Sequence, residues 1–421
     1  MNTLSQAIND RDDYDPTALP VRDAQAIIRA CISPVGAIER VAVRASLGRV
    51  LGEDVISTVN VPAHNNAAMD GWAVRHADLD AAGETTLTRI GTAFAGKPFE
   101  GVVGRGQCVR VMTGAVLPTG ADTVVIQEVV RSSEDQVHIP AGQKLGQHVR
   151  LAGEDLALGK PCLLAGHKVA PADLGLIASL GLAEVSVRRR LRVAFFSTGD
   201  ELASVGEALA PGAVYDSNRY TLWGMLTRLG CEVIDMGVVR DDPTALEAAL
   251  RTAAENADAI ITSGGVSVGE ADFTRELLGR LGEAVSWTIA MRPGRPMAFG
   301  KIGQAYFFGL PGNPVAVMVT FYEFVRSALL ALAGQTTGLE LPKLQAASSA
   351  ALRKRPGRTE YQRGILAAGE SGAWSVRVTG QQGSGVLRSM SEANCLIVLE
   401  HDRGPVAAGE LVTVQLFEGL V

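Results

Sequence analysis

The sequence predicts a multidomain α/β plus β protein. Three observations carry this. The chain has 421 residues, more than one compact core serves, so about two to four domains are expected. Residues 191–334 alternate short apolar strands with helical stretches, the pattern of a parallel sheet with helices on both faces. The stretches 55–150 and 340–421 carry short alternating runs and glycine-rich turns instead, which is the pattern of β domains.

Taken in order, the first twenty residues are polar and acidic around Asn9-Asp10-Arg11-Asp12-Asp13, the one stretch that reads as disordered. Val21, Ala24, Ile27, Ile28 and Cys31 recur at helical spacing, and Ser33-Pro34-Val35-Gly36 ends that helix. Cys108–Met112 and Val124–Ile126 read as strands, and Ala172–Leu180 as a short helix. The run Arg188-Arg189-Arg190 reads as a solvated connector. In the α/β region, Leu191–Phe196, Glu232–Val239, Ala259–Thr262 and Ala305–Phe308 read as strands. Tyr220–Leu229, Pro243–Glu255 and Ala271–Leu281 read as helices, the second with proline in its first turn. A long apolar helix follows Pro314 and runs to Leu332.

Composition narrows the function. Net charge is −6, which lacks the basic field of a nucleic-acid binder. No apolar run is read as long enough for a membrane span; the best, Val315–Tyr322, stops at Glu323. No basic start followed by an apolar core indicates a secretory signal. The five cysteines are far apart in sequence and form no Cys-x-x-Cys pair. They read as buried, reduced thiols of a cytoplasmic protein.

In open α/β sheets, ligands sit at the carboxyl ends of strands, so the chemistry is sought in the loops there. Ser263-Gly264-Gly265-Val266-Ser267-Val268-Gly269 lets the backbone fold close and aim N–H groups at an anion, with a helix following at once. It is neither a Walker loop nor a dinucleotide fingerprint. Anion binding is favoured over a plain tight turn. Glu201, Asp241 and Asp272 would crowd the same rim and repel a phosphate. A divalent cation resolves that conflict, because Mg2+ takes carboxylates and phosphate oxygens together. Asp242, before Pro243, fits a helix N-cap; for Asp241 and Asp272 the metal role is favoured. Arg292 and Arg295 flank a Pro-Gly turn and suit a tetrahedral oxyanion. Asp70 before Gly71 fits either a turn or a site.

Together, several segments resemble the MoeA family, which includes the E-domain half of gephyrin-type homologues. They are Ala68-Met69-Asp70-Gly71-Trp72-Ala73-Val74, Met112-Thr113-Gly114-Ala115, Gly153-Glu154-Asp155 and Ser197-Thr198-Gly199-Asp200-Glu201-Leu202. Asp241-Asp242-Pro243, Ser263 to Asp272, Leu310 to Pro314, Tyr361-Gln362-Arg363-Gly364 and Gly380-Gln381-Gln382-Gly383-Ser384 continue the match in the family's order.

The resemblance implies a MogA-like three-layer α/β/α domain formed by 20–37 and 191–334. It also implies an elongated dimerisation domain formed by 38–56 and 150–190, a mostly β module at 57–149 and a C-terminal β domain at 335–421. It implies a homodimer with its site in a cleft at the dimer interface. The activity implied is insertion of molybdenum from molybdate into adenylylated molybdopterin, with Mg2+-dependent release of AMP. By matching motif, Arg292, Arg295, Pro296, Arg363 and Ser384 look like molybdate contacts, and Asp241 and Asp272 like the metal end. Glu201, the loop residues Ser263, Gly264, Gly265, Ser267 and Gly269, and Pro311, Gly312 and Asn313 look like contacts to the pterin nucleotide. Asp70, Thr113 and Asp155 look like cleft residues from the other domains. Implied partners are a MogA-like adenylyltransferase and molybdoenzyme-maturation proteins, with no nucleic acid and no membrane.

The sequence departs from the family's usual lysines at Arg292 and Arg295. A further lysine of many bacterial members is Thr288 here, and Asn65-Asn66 stands where Asp-Asn is usual. These changes bear on anion choice, molybdate or tungstate. Alternatives are a MogA- or CinA-like nucleotide-processing enzyme and a non-catalytic molybdopterin-binding scaffold.

Overall fold

The computed structural model describes residues 18–265, 277, 279–369 and 372–417. The acidic stretch Asn9–Asp13 and all but parts of the expected helix Ala271–Leu281 lie outside the described residues.

The centre is a six-stranded sheet in the order Glu232–Val239, Arg192–Thr198, Ala259–Ser263, Ala305–Leu310, Pro296–Ile302 and Gly282–Thr288. The first four strands run parallel. Successive side chains on a strand point to opposite faces, and here both faces are covered. Val193, Phe195, Ile261 and Phe308 join one core with the helices Val21–Cys31, Ser217–Arg228 and the helix beginning at Pro314. Ala194, Phe196, Ile260 and Phe307 join a second core with Pro243–Asn256. This is the expected three-layer arrangement.

The sheet is not wholly parallel, as was expected. Gly282–Thr288 and Pro296–Ile302 pair antiparallel with each other and at the sheet's edge. Only the seven-residue loop between them makes the connection, too short for the crossover that a parallel pair requires. The helix read as starting at Tyr220 begins at Ser217, because the carboxylate of Asp216 accepts the Arg219 N–H at 3.1 Å as an N-cap.

Glu323 does not end the apolar run as expected. The helical stretch Pro314–Leu332 is 19 residues long and apolar enough, by length and composition, to cross a membrane, yet most of it is buried inside the protein. It passes Glu323 through one π-helical turn, Phe321–Val325. The buried carboxylate accepts hydrogen bonds from Tyr361 Oη at 2.9 Å, Gln415 Nε2 at 2.6 Å and Gln25 Nε2 at 3.2 Å. An acid so satisfied is a core residue rather than a break.

On the N-terminal side, Ile38–Ala42 pairs with Glu184–Arg188, and Val55–Ile56 with Pro161–Leu163. Leu51, Val169, Ile177 and Val187 form the core there, with the helix Pro171–Ser179. A separate six-stranded, mostly antiparallel sheet follows, ordered Thr123–Ile126, Gly71–Val74, Gln107–Val111, Thr85–Ala93, Gln136–Ile139 and Arg131–Ser132. Cys108 and Cys395 are buried thiols, whereas Cys31, Cys162 and Cys231 are half-buried.

The C-terminal strands close into a small barrel. Thr359–Ala368 pairs with Trp374–Val378 on one side and Cys395–Leu399 on the other, through Lys343–Ser348 and Leu411–Leu416. One further strand comes from the α/β unit: Met291–Arg292 pairs parallel with Thr359–Glu360. That pairing fixes the Arg292 turn against the barrel and positions the site below.

Candidate active site

The carboxyl ends of the parallel strands meet the barrel in one cleft of about 690 Å³, within the usual range for a small-molecule site. The sequence-predicted residues Glu201, Asp241, Ser263, Gly264, Gly265, Pro311, Gly312 and Asn313 line it from the α/β loops. Arg292, Arg295 and Pro296 line it from the turn that reaches the barrel, and Arg363 and Ser384 from the barrel itself. Ser267, Gly269 and Asp272 lie outside the described residues.

The glycine loop is held by its approach to Thr198. Gly264 has φ +94°, and a Cβ there would stand 2.4 Å from the Thr198 carbonyl oxygen. Only glycine tolerates both conditions. Below the loop, Asn218 Nδ2 donates to Ser263 Oγ at 2.8 Å and to the Gly312 carbonyl at 2.6 Å. Asn218 thus ties the ends of two strands together beneath the cleft. Its Oδ1 and the Thr198 hydroxyl are buried without a hydrogen-bond partner in the protein. Buried polar atoms of that kind call for a ligand or an ordered water.

Arg363 is 1% exposed and faces no carboxylate among its hydrogen-bond partners. Its Nε donates to Ser389 Oγ at 3.0 Å and a terminal nitrogen donates to the Gly383 carbonyl at 3.0 Å. Burial, and then the positive charge of Arg292, pull its guanidinium down to about 10. It remains charged at neutral pH, so an anion entering the cleft would relieve a cost already present.

The neighbouring turn keeps Arg292 and Arg295 exposed while Pro293 and Gly294 are buried between them. Gly294 has φ +97°, and a Cβ there would stand 2.5 Å from Thr320 Cγ2. The turn is therefore seated against the long helix, with its guanidinium groups facing outward. Among the described residues five arginines line the cleft, the others being Arg353 and Arg358, against three carboxylates, Glu201, Asp241 and Glu360. One pair, Arg358 with Glu360, is satisfied internally at 3.0 Å. The balance favours an anionic ligand.

Asp241 is no helix cap. Its neighbour Asp242 is, accepting the Ala245 N–H at 2.8 Å, as the sequence indicated. Asp241 is left facing the cleft.

Asp70, Thr113 and Asp155 are not brought to this cleft within one chain. One oxygen of Asp70 accepts both the Thr113 N–H and the Thr113 hydroxyl at 2.7 Å. The N–H bond first, then the hydroxyl, hold its carboxyl below the usual carboxylate range. Among the family departures, Asn65 Oδ1 accepts the Ala152 N–H at 2.8 Å, a role open to either Asn or Asp. Sequence reasoning missed Asn218, Arg353, Arg358, Glu360 and Gln382 as cleft residues.

Comparison with known proteins agrees with this architecture. A sequence model described as "MoeA N-terminal region (domain I and II)" matches residues 19–181. "Probable molybdopterin binding domain" matches 194–331, and "MoeA C-terminal region (domain IV)" matches 345–417. The chain is 45% identical over 374 residues to a molybdopterin molybdenumtransferase of Haemophilus influenzae, covering 89% of this chain and 92% of that protein. It is 36% identical over 377 residues to a molybdopterin molybdenumtransferase of Nostoc, covering 88% and 86%. The crystal structure of the molybdopterin biosynthesis moeA protein from Pyrococcus horikoshii superposes with a TM-score of 0.83 at 27% identity, covering 95% of this chain and 100% of that one. The chain belongs to the MoeA family, the molybdopterin molybdenumtransferases of molybdenum cofactor biosynthesis.

Proposed function

We propose that this protein inserts molybdenum from molybdate into adenylylated molybdopterin, releasing AMP in a Mg2+-dependent reaction. The observation that carries the reading is the single cleft in which the glycine loop at Ser263 and the arginine turn at Arg292 meet Arg363 and Ser384 of the barrel. Family models that match on both sides of the α/β unit support this over a MogA- or CinA-like enzyme built from that unit alone.

In this reading Arg292, Arg295 and Arg363 hold the molybdate oxyanion with charge-assisted hydrogen bonds. Pro296 and Ser384 shape that end. The guanidinium fork presents paired donors where the family's lysines present a point charge, which tightens the geometric demand on the anion. Ser263, Gly264 and Gly265 approach the adenylate phosphate through backbone N–H groups. Pro311, Gly312 and Asn313 flank the nucleotide, with Glu201 beside them.

The residues present fit a magnesium ion. Glu201 and Asp241 are hard oxygen donors on the rim that receives phosphate. Among the described residues no protein cage of three or more ligands exists, and Mg2+ does not require one when substrate phosphates complete its sphere. Bound there, it would neutralise charge as the phosphoanhydride breaks. We assign Asp272 to the same end by its motif.

The same reading includes a homodimer, in which Asp70, Thr113 and Asp155 of one subunit serve the cleft of the other. It also includes a cytoplasmic location and hand-over from a MogA-like adenylyltransferase to molybdoenzyme-maturation proteins.

The test is AMP release from adenylylated molybdopterin with Mg2+ and molybdate. Arg292→Ala and Asp241→Ala should each lose a hundredfold or so in kcat/KM, on the order of one charge-assisted contact in a dry site. Arg363→Lys should raise the KM for molybdate more than it lowers kcat. A folded wild type that releases no AMP on molybdate addition would sink the proposal.

A further inference from the structure

A second cavity, of about 160 Å³, lies at the opposite edge of the α/β sheet. Leu191 and Cys231, which line it, directly precede the strands Arg192–Thr198 and Glu232–Val239. It is therefore at the amino ends of the strands, whereas the cleft is at their carboxyl ends. Six cations line it: Arg49, Lys168, Arg188, Arg189, Arg190 and Arg228. Among the described residues no carboxylate does.

Two of these cations are neutralised nearby by carboxylates, and Arg228 makes an interaction of its own. Arg49 pairs with Glu39, and Arg189 grips Asp258 through two bonds at 2.9 and 2.8 Å. Arg188 and Arg190 meet only neutral acceptors, the carbonyls of Val35 at 2.7 Å and Gly230 at 3.2 Å. Arg188 Nε is buried with no partner in the protein. The Lys168 ammonium has no hydrogen-bond or ion-pair partner among the described residues. Cys231 adds no negative charge, because burial pushes its thiol up to about 12. The Arg188-Arg189-Arg190 run, expected to be a solvated connector, is thus folded into the wall of a basic cavity.

Some of this charge answers the carbonyl end of helix Ser217–Arg228, where cations are favoured. Arg190, on Gly230, and Arg228, in the last turn of that helix, meet that need. The remaining charge, on Lys168 and Arg188, converges from two distant parts of the chain on a half-open volume with no acid among the described residues of its lining. Like charges so gathered repel unless an anion lies between them. The volume equals about five waters at roughly 30 Å³ each, which is room for one tetrahedral oxyanion and little more.

We propose that this cavity is a second anion site, distinct from the cleft, and that it binds a phosphate group. A whole nucleotide is too large to enter, so the ligand is either free phosphate or the terminal phosphate of a molecule that remains outside. Because the cavity joins the N-terminal layer to the α/β unit, occupancy would hold those two parts together.

The test uses the full chain carrying Arg292→Ala and Arg295→Ala, which weakens phosphate binding in the cleft. Inorganic phosphate is titrated by calorimetry against sodium chloride of equal ionic strength. One saturable site should remain. Adding Lys168→Gln should weaken it roughly tenfold, and adding Arg190→Gln as well should weaken it roughly tenfold again, the scale of one charge-assisted contact each. The Lys168 side chain is exposed, so Lys168→Gln tests binding without loss of fold. In a parallel arm AMP replaces phosphate. Equal or weaker binding of AMP identifies free phosphate as the ligand, and tighter binding identifies a nucleotide's terminal phosphate. Heat that chloride reproduces, or a residual site indifferent to Lys168→Gln and Arg190→Gln, overturns the proposal.

Discussion

Replacing Gly264 with alanine tests whether the glycine loop is set by its contact with the central strand. Its φ of +94° costs alanine about 1–2 kcal/mol. The new Cβ would also stand 2.4 Å from the Thr198 carbonyl oxygen. That oxygen cannot retreat easily, because the strand Arg192–Thr198 is paired on both sides. Overpacking of this kind costs about 1–3 kcal/mol, for a total of roughly 2–5 kcal/mol. Gly265 makes the control. Its φ is +68°, and its added Cβ would meet only Thr198 Oγ1, at 2.9 Å. That hydroxyl has no hydrogen bond to lose by turning away, so the backbone term of about 1–2 kcal/mol stands alone. At Gly312 a Cβ would find nothing nearer than the Gly264 Cα at 3.8 Å, and the cost should stay within about 0.5 kcal/mol. A chain of several units need not unfold in one step, so the assay is hydrogen exchange of strand Ala259–Ser263, read locally. Protection should fall most for Gly264→Ala, less for Gly265→Ala and least for Gly312→Ala. Wild-type protection in Gly264→Ala would refute the argument.

Two further outcomes follow from the same structure. Burial raises the Glu323 carboxyl against the downward pull of its bonds from Gln415, Tyr361 and Gln25 and of the Lys343 charge. The folded chain then keeps a proton that the unfolded chain releases, so this group's stabilisation is full below the ordinary carboxylate range and is lost as pH rises through the raised value. Glu323→Gln, which mimics the protonated form, should gain in Tm relative to wild type as pH goes from about 5 to about 8; a difference that shrinks with pH would count against it. For the proposed dimer, mixing inactive Asp70→Ala and Arg292→Ala subunits in equal amounts and allowing exchange should restore about a quarter of wild-type activity, since half the dimers are mixed and each has one intact cleft. No recovery after verified exchange would place Asp70 in its own subunit's chemistry or outside it.

Much of the fold was legible because local signals agreed. Helix Val21–Cys31 and strand Glu232–Val239 have the bounds read from the sequence; in each, an unbroken periodicity meets a clear stop. The antiparallel edge was not legible. Gly282–Thr288 mixes Glu283 and Ser286 with apolar residues, and nothing local gives its direction. The run through Glu323 was misread because an acid reads as a break unless its partners are known, and Tyr361 and Gln415 are distant in the chain. In the cleft, the strand-end loops were found by a rule of α/β sheets. Arg353 and Arg358 were missed because barrel closure brings them there. A signal was available, however: Arg355-Pro356-Gly357-Arg358 repeats the Arg-Pro-Gly-Arg form of Arg292 to Arg295.

Asp70 marks where motif and geometry carry different information. Its carboxylate is already fixed and held ionised by Thr113, and it stands in the bend that leads into the strand Gly71–Val74. A residue organised only to close a turn would need one such bond; here a single oxygen takes two at 2.7 Å, from the N–H and the hydroxyl of the same residue. Two donors on one carboxylate oxygen set its direction as well as its charge. Yet among the described residues Asp70 does not line the cleft of its own chain. A charge so oriented, without a reacting partner in the same subunit, has a mechanistic use if a second copy of the chain supplies the cleft. The mixing experiment therefore bears on Asp70 more directly than its single substitution does. Loss of activity in Asp70→Ala is equally compatible with a broken turn, whereas recovery in mixed dimers requires that an intact Asp70 serve the other subunit.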